Sequence, residues 1–142
     1  MADEQVNVRY MVDDVEASVD WYVTRLGFKL LWGAGPAFAA VGRGPLMLQL
    51  SGRTSSAGRP MPDGTQPVPG GWNRFQLVCA DLAAEVERLR ASGVKFRNEI
   101  VTGPGGSQIL AIDPSGNLVE LFQPAAGDRV RPPQPAPSAE AG

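Results

Sequence analysis

Apolar and polar residues follow a clear order of patterns near the start of the chain. They alternate from position 6 to position 12, which is the period of a β-strand. Apolar residues then recur at positions 15, 19, 22 and 26, the spacing of one face of an amphipathic helix. Asp14 is placed to cap the start of this helix, and Gly27 to supply a left-handed residue after its end. The pattern predicts a strand followed directly by a helix.

The same order returns in the second half of the chain. Phe75, Leu77 and Cys79 occupy alternate positions and lead into Asp81. Apolar residues at positions 82, 86 and 89 then form a helical stripe, which Gly93 ends. Three short strands are predicted after each helix, at 28–32, 37–41 and 46–50 and at 95–101, 108–112 and 118–122. Each half therefore follows the order β-α-β-β-β.

This repeat predicts an α+β fold made of two tandem modules. A sheet that carries one helix buries one face against that helix and leaves its other face free. The free faces can together enclose a cup, which is the functional feature we expect. A chain of 142 residues suits a single domain, predicted at 1–124, with module one at 5–50 and module two at 72–124.

Two proline-rich segments fall outside the patterned regions. Residues 51–71 join the modules and are either a mobile linker or a loop over a site. Residues 125–142 are rich in Pro and Ala and contain almost nothing that could pack, so a disordered tail is predicted there.

The charge balance argues against two classes of partner. Thirteen basic and 15 acidic residues give a net charge of -2, which favours neither nucleic acid nor an anionic membrane. Apolar runs fall far short of the roughly 18 residues that span a bilayer, and the first residues contain no apolar stretch typical of a signal peptide. We therefore expect a cytoplasmic protein that binds neither nucleic acid nor membrane.

The residue types also restrict the chemistry. The sequence has no histidine and one cysteine, Cys79, so the usual Cys/His zinc site and histidine-based acid–base catalysis are excluded. Any catalysis would rest on carboxylate, Tyr, Lys or Arg side chains, or on an imported cofactor.

Three segments carry a family resemblance: VDDVEASVDWYVTRLGFKL in the first half, and ADLAAEVERLRASGVKF and DPSGNLVELFQP in the second. Together with the repeat, they resemble the vicinal oxygen chelate superfamily, which includes glyoxalase I, extradiol dioxygenases and bleomycin-resistance proteins. The resemblance covers residues 6–124. It implies a curved sheet cup, a small-molecule ligand, and a homodimer with cups at or near the subunit interface.

Metal-dependent members of this superfamily bind an ion with four cup residues. The matching positions here are Asn7, Gln49, Arg74 and Glu120, of which only Glu120 is a strong metal ligand. Arg74 would place a like charge beside the ion, which at about 4 Å costs about 4 kcal/mol at an effective dielectric of 20. Arg74 would instead stabilise Glu120 through a charge-assisted hydrogen bond. We expect no metal and no cofactor, although a one-residue slip would turn Asn73 inward instead of Arg74.

Other side chains on the cup side are candidate ligand contacts. Trp32, Phe38 and Trp72 are placed near the cup mouth, where aromatic rings can stack on a planar ligand. The alternative for each candidate is ordinary packing or a solvated surface, whereas Trp21 and Tyr22 are expected to pack the helix on the sheet. The remaining candidates are Arg9, Met11, Met47, Gln76, Leu118 and Phe122.

Two classes of function remain open. In the first, a metal-free cup sequesters a hydrophobic or planar molecule such as an antibiotic, as bleomycin-resistance proteins do. In the second, the protein is a glyoxalase-like lyase or isomerase, or another enzyme of the superfamily, with Glu120 as general base or metal ligand. The mixed polar and aromatic character of the cup favours the binding protein.

Overall fold

The computed structural model describes residues 5–126, so most of the predicted tail at 125–142 lies outside the described residues. The helices of the described range are α1 Val15–Leu26 and α2 Leu82–Ala91, and neither is long and apolar enough to cross a membrane. The strands are β1 Asn7–Met11, β2 Lys29–Ala34, β3 Phe38–Arg43, β4 Leu46–Ser51, β5 Arg74–Val78, β6 Lys95–Phe96, β7 Val101–Gly103, β8 Gly106–Ile112 and β9 Leu118–Pro124.

The strands form two sheets, one in each half of the chain. The first sheet has the order β1-β4-β3-β2, and the second has the order β5-β9-β8-β6, with β7 also paired to β8. β1 runs parallel to β4 and β5 runs parallel to β9, while the other neighbours are antiparallel. The predicted α+β fold of two repeated modules is confirmed.

The helix boundaries follow from the capping residues. The Asp14 side chain accepts a hydrogen bond from the Ala17 backbone at 3.0 Å, and Asp81 accepts one from Ala84 at 3.1 Å. Gly27 ends α1 in the left-handed region, at a φ of 71°, which a residue without a side chain adopts at little cost. These short-range contacts explain why both helices could be predicted.

The single strand predicted at 95–101 is wrong. It is replaced by the short strands β6 and β7, which pair with β8 on either side of a break. At the break, the Asn98 side chain accepts a hydrogen bond from the Leu110 backbone at 3.1 Å and so takes the place of a backbone partner. The other strands predicted after the helices begin or end within two residues of the observed bounds.

The helix sides of both sheets share one hydrophobic core. Trp21 and Tyr22 lie in it together with Leu48, Leu50 and Leu121, which confirms the packing role expected for the two aromatic residues. The opposite face of each sheet takes no part in this core.

Two buried phenols join the modules. The Tyr10 hydroxyl donates a hydrogen bond to the Leu118 carbonyl and accepts one from the Phe75 backbone, and the Tyr22 hydroxyl donates to Asp113 at 2.8 Å. Burial raises the pKa of Tyr10 to about 12 and raises the pKa of Tyr22 well above its ordinary value. Burial also raises the pKa of Asp113. The raised pKa values of the two tyrosines mean that the folded protein favours their neutral, protonated form at this junction.

The segment between the modules is tied down by Asn117. The Asn117 side chain accepts a hydrogen bond from the Gly70 backbone and donates one to the Met11 carbonyl, both at 2.8 Å. One residue before β9 thus holds β1 and the end of the connecting segment together. This contact fixes where the chain enters β5, and it positions Trp72.

Candidate ligand-binding face

The first sheet collects its candidate residues on the face turned away from α1. Neighbouring strands set these side chains in rows, in which Arg9 lies opposite Gln49 and Asn7 lies opposite Met47. We call this surface the first cup face. It comprises Asn7, Arg9, Met11, Trp32, Phe38, Ala40, Met47, Gln49 and Ser51.

Polar groups on the first cup face are left available. The Arg9 guanidinium donates a hydrogen bond to the Ser51 hydroxyl at 2.8 Å, and the exposed Asn7 amide accepts one from Gln5 at 3.2 Å. Gln49 is half-buried, and its amide makes no side-chain hydrogen bond to any residue in the range 5–126. A half-buried amide without a partner is a ready donor and acceptor for a ligand.

Two aromatic rings form a wall beside these polar groups. The ring centroids of Trp32 and Phe38 are 4.9 Å apart, with an angle of 39° between the planes. Trp32 is 55% exposed and follows an irregularity in the pairing of β2 with β3 between Leu30 and Trp32. An exposed indole that packs against a second ring offers a large planar contact surface.

The second sheet has a corresponding face. Arg74 lies opposite Leu118, and Gln76 lies opposite Glu120. The observed register turns Arg74, and not Asn73, toward Glu120. We call this surface the second cup face, and it comprises Arg74, Gln76, Val78, Leu110, Leu118, Glu120 and Phe122.

Glu120 is enclosed by partners on its own sheet. Its side chain is 10% exposed, and its two oxygens accept hydrogen bonds from Arg74 Nε at 3.0 Å and from Gln76 Nε2 at 2.8 Å. The Arg74–Glu120 bond is the pair expected from two of the four positions that the family resemblance marks. Bonds of this kind to a carboxylate are roughly twice as strong as those between neutral groups. The carboxylate is therefore satisfied without a ligand.

The four positions that match metal ligands divide between the two cup faces. Asn7 and Gln49 lie on the first cup face, while Arg74 and Glu120 are bonded to each other on the second. Among residues 5–126, no group of three or more Cys, Asp or Glu side chains lies close enough to hold an ion. A guanidinium on the one carboxylate and two neutral amides do not fit a divalent cation. The absence of metal remains a prediction.

Sequence reasoning gave no role to Arg97, which borders the second cup face. Its guanidinium lies 4.1 Å from the ring centroid of Trp72, which is 60% exposed. The two residues adjoin strands at opposite edges of the sheet, so their contact reaches across it. The residue after Phe96 alternates toward this face, but the continuous strand predicted at 95–101 gave Arg97 no special place.

The remaining apolar candidates divide between the two faces. Met11 and Met47 are half-buried on the first cup face, and Phe122 is half-buried on the second. Leu118 is buried. Among residues 5–126, no hydrogen bond joins the polar side chains of one cup face to those of the other.

Comparisons with known proteins agree with this fold. The family model of the Glyoxalase/Bleomycin resistance protein/Dioxygenase superfamily matches residues 5–121. The resemblance drawn from the sequence is confirmed by this match. A search of curated proteins finds no match.

Solved structures of the same fold include proteins with different roles. The chain is similar to TnmS3, an antibiotic binding protein from Streptomyces sp. CB03234, at 26% identity and a TM-score of 0.67, over 87% of this chain and 98% of that chain. It is similar to a superfamily member from Sphaerobacter thermophilus at 25% identity and a TM-score of 0.69, over 86% and 98% of the two chains. A lactoylglutathione lyase from Agrobacterium tumefaciens, at 18% identity and a TM-score of 0.68 over 87% and 95%, shares the fold alone.

Proposed function

This chain belongs to the Glyoxalase/Bleomycin resistance protein/Dioxygenase superfamily, and we propose that it is a metal-free member that sequesters a planar, largely apolar small molecule. An antibiotic or a similar natural product is the ligand class we favour. The likeness to an antibiotic binding protein supports this choice over a catalytic role. The cytoplasmic location expected from the sequence is part of the same proposal.

The exposed Trp32–Phe38 pair beside Gln49 is the observation that carries the proposal. The two tilted rings supply area for a flat molecule, and the amide of Gln49 and the guanidinium of Arg9 supply orientation. Glu120 offers the ligand much less, because both of its oxygens accept hydrogen bonds within the protein. The first cup face therefore favours binding over chemistry.

A panel of candidate ligands tests this proposal. Polycyclic quinones and glycopeptides such as bleomycin would be titrated into the protein while tryptophan fluorescence is followed. We expect at least one to bind with micromolar or better affinity, which corresponds to about 8 kcal/mol. A Trp72→Phe variant should keep the fluorescence change, since Trp32 is the reporting ring. Lack of saturable binding across the panel would contradict sequestration.

The enzyme alternative makes a different prediction for the same titration. A lyase or isomerase that uses Glu120 as base would convert its ligand, and Glu120→Gln would abolish conversion while leaving binding largely intact. The two hydrogen bonds to Glu120 would then have to rearrange around the substrate. We therefore place this function second.

We also propose that the protein is a homodimer with cups at or near the subunit interface. Leu30, Leu31 and Trp32 on β2 are 56%, 51% and 55% exposed, and β2 is the outer strand of its sheet. A long apolar edge strand invites association unless it is covered. Sedimentation at micromolar concentration should show a dimer, and Leu30→Lys should weaken it. A single 15.0 kDa species in the unaltered protein would contradict this proposal.

A further inference from the structure

We propose that a hollow at the outer end of the first cup face, between Lys29 and Arg43, binds an anionic substituent of the ligand. A carboxylate, sulfonate or phosphate group has the chemistry that this hollow would take. The inference rests on the proposed function, because it assigns a second feature to the sequestered molecule. The ligand would then be an apolar planar body that carries an acidic group.

The sheet register connects this hollow to the cup. Lys29 lies opposite Gly42, Gly42 opposite Met47, and Met47 opposite Asn7, so these four residues form one row across the face. The hollow above this row has a volume of about 460 Å³. Asn7 and Met47 belong both to the row and to the first cup face. A ligand on the aromatic wall can therefore extend into the hollow.

Apolar side chains form part of the lining of the hollow. Leu31 lies against Gly42, where a Cβ atom would come within 3.0 Å of the Leu31 side chain. The absence of a side chain at Gly42 lets Leu31 lie close to the sheet. The lining combines the apolar side chains of Leu31, Leu46 and Met47 with the two cations, a combination that suits an aromatic acid better than a free inorganic ion.

The charge in the hollow has one sign. Its lining includes Lys29 and Arg43 but no Asp or Glu. Neither cation forms an ion pair with another residue in the range 5–126. Two cations beside one hollow raise the local concentration of anions even though the whole chain carries a net charge of -2.

Arg43 also borders a second hollow beside α2, whose lining includes two acidic residues, Asp81 and Glu85. Asp81 accepts a hydrogen bond from the Ala84 backbone, and Glu85 is paired with Arg88. Hydrogen bonds from Arg88, and to a smaller extent the charge of Arg43, lower the pKa of Glu85 on α2. The ion pair between Arg88 and Glu85 measures 2.9 Å. Arg43 forms no ion pair with either carboxylate, so its guanidinium can still bind a ligand in the hollow.

Two fluorescent probes that differ by one group test the inference. Anilinonaphthalene sulfonate carries a flat aromatic body and a sulfonate, and phenylnaphthylamine is its neutral counterpart. We expect Lys29→Gln and Arg43→Gln each to weaken the sulfonate probe about fivefold and to leave the neutral probe unchanged. Arg59→Gln removes an exposed cation that does not line the hollow, and it should change neither probe. Sodium sulfate should displace the sulfonate probe more effectively than sodium chloride of equal ionic strength.

The outcomes separate this inference from the function on which it rests. Equal affinity of the sulfonate probe for the unaltered protein, Lys29→Gln and Arg43→Gln would overturn the anionic subsite. Binding of the neutral probe that Trp32→Ala weakens would, in that case, still support the apolar cup. If Trp32→Ala changed neither probe, the aromatic wall itself would be wrong, whatever the two cations did.

Discussion

Gln49 and Glu120 occupy the same place in the two modules, yet their surroundings differ. Each lies opposite the middle residue of the first strand of its module, Arg9 in one half and Gln76 in the other. Glu120 is bonded on both oxygens by its own sheet, whereas the Gln49 amide makes no side-chain hydrogen bond among residues 5–126. The two modules share a backbone arrangement but differ in their side chains. In the second module the polar side chains bond to each other, whereas in the first the Gln49 amide is left available to a ligand.

The difference follows from the cost of burying charge. A buried carboxylate needs partners, because an unpaired charge in a poorly hydrated site is strongly unfavourable. Leaving a half-buried neutral amide without a hydrogen-bond partner costs less free energy than leaving a buried carboxylate unpaired. Such an amide can therefore stay unpaired until a ligand binds. On the second cup face Arg74 and Gln76 both donate hydrogen bonds to Glu120, whereas on the first the Gln49 amide has no side-chain partner among residues 5–126.

The largest expected effect is on the free energy of unfolding at high pH, and it comes from the two phenols that join the modules. Tyr10 and Tyr22 are the only tyrosines in the sequence, and their folded pKa values exceed the ordinary value of 10.0. The folded state therefore keeps a proton that the unfolded state releases. The stabilising contribution is complete below pH 10 and is lost as the pH rises through the folded values, by about 1.4 kcal/mol per pH unit for each phenol.

An alkaline titration that follows phenolate absorbance and circular dichroism together measures this effect. Phenolate should appear only as the protein unfolds, and Tyr22→Phe should reduce the slope of the unfolding free energy above pH 10. Phenolate absorbance that rises around pH 10 while the fold stays intact would show that the junction does not bury these groups.

The next largest effect is a difference between the two cup faces in how much a substitution lowers the free energy of unfolding. Glu120→Ala leaves the Arg74 guanidinium without its partner and should lower the free energy of unfolding by about 2 to 3 kcal/mol. Gln49→Ala, its counterpart on the first cup face, should change it by about 0.5 kcal/mol or less. Urea denaturation measures both. Equal losses would remove the distinction between a self-stabilised and an open half.

For ligand affinity the order should be reversed, with substitutions on the first cup face having the larger effect. Trp32→Ala removes the exposed half of the aromatic wall and should weaken binding by roughly 1 to 3 kcal/mol. Trp72→Ala deletes a tryptophan of similar exposure that already contacts Arg97, and it should cost about 0.5 kcal/mol or less. Titration calorimetry with a ligand found in the panel compares the two variants. A larger loss for Trp72→Ala would move the recognition site to the second cup face.

The smallest expected effect is that of removing metal ions, which should change neither stability nor ligand affinity. Arg74 occupies the carboxylate that an ion would need, so dialysis against a chelator should leave both the melting temperature and ligand affinity unchanged. Elemental analysis should find far less than one equivalent of nickel, iron, manganese or zinc per chain. One equivalent of copurified metal, together with an activity lost on chelation, would favour the enzyme instead.

The fold could be predicted because its determinants are local. Caps such as Asp14, the helical stripe and strand alternation act over a few residues, and the repeat of the whole pattern gave the two modules. The family resemblance also predicted Arg74 beside Glu120, and the regular pairing of their strands brings the two side chains together. These features require no knowledge of distant contacts.

The missed features depend on contacts between distant parts of the chain. Asn98 breaks the predicted strand through a bond to β8, and Arg97 meets a tryptophan from before β5. The hollow beside Lys29 exists only because the register brings Gly42 and Met47 into its row. Strand periodicity assigns a side chain to a face but does not say which neighbours it meets there.

One measurement tests the central claim, that the cup holds its ligand without changing it. A ligand from the panel would be incubated in large excess over the protein for many binding lifetimes, then recovered and examined by mass spectrometry. We predict that all of it returns with its mass and chromatographic behaviour unchanged. A modified product that accumulates beyond the amount of protein, and disappears in the Glu120→Gln variant, would contradict sequestration and establish Glu120 as a catalytic base.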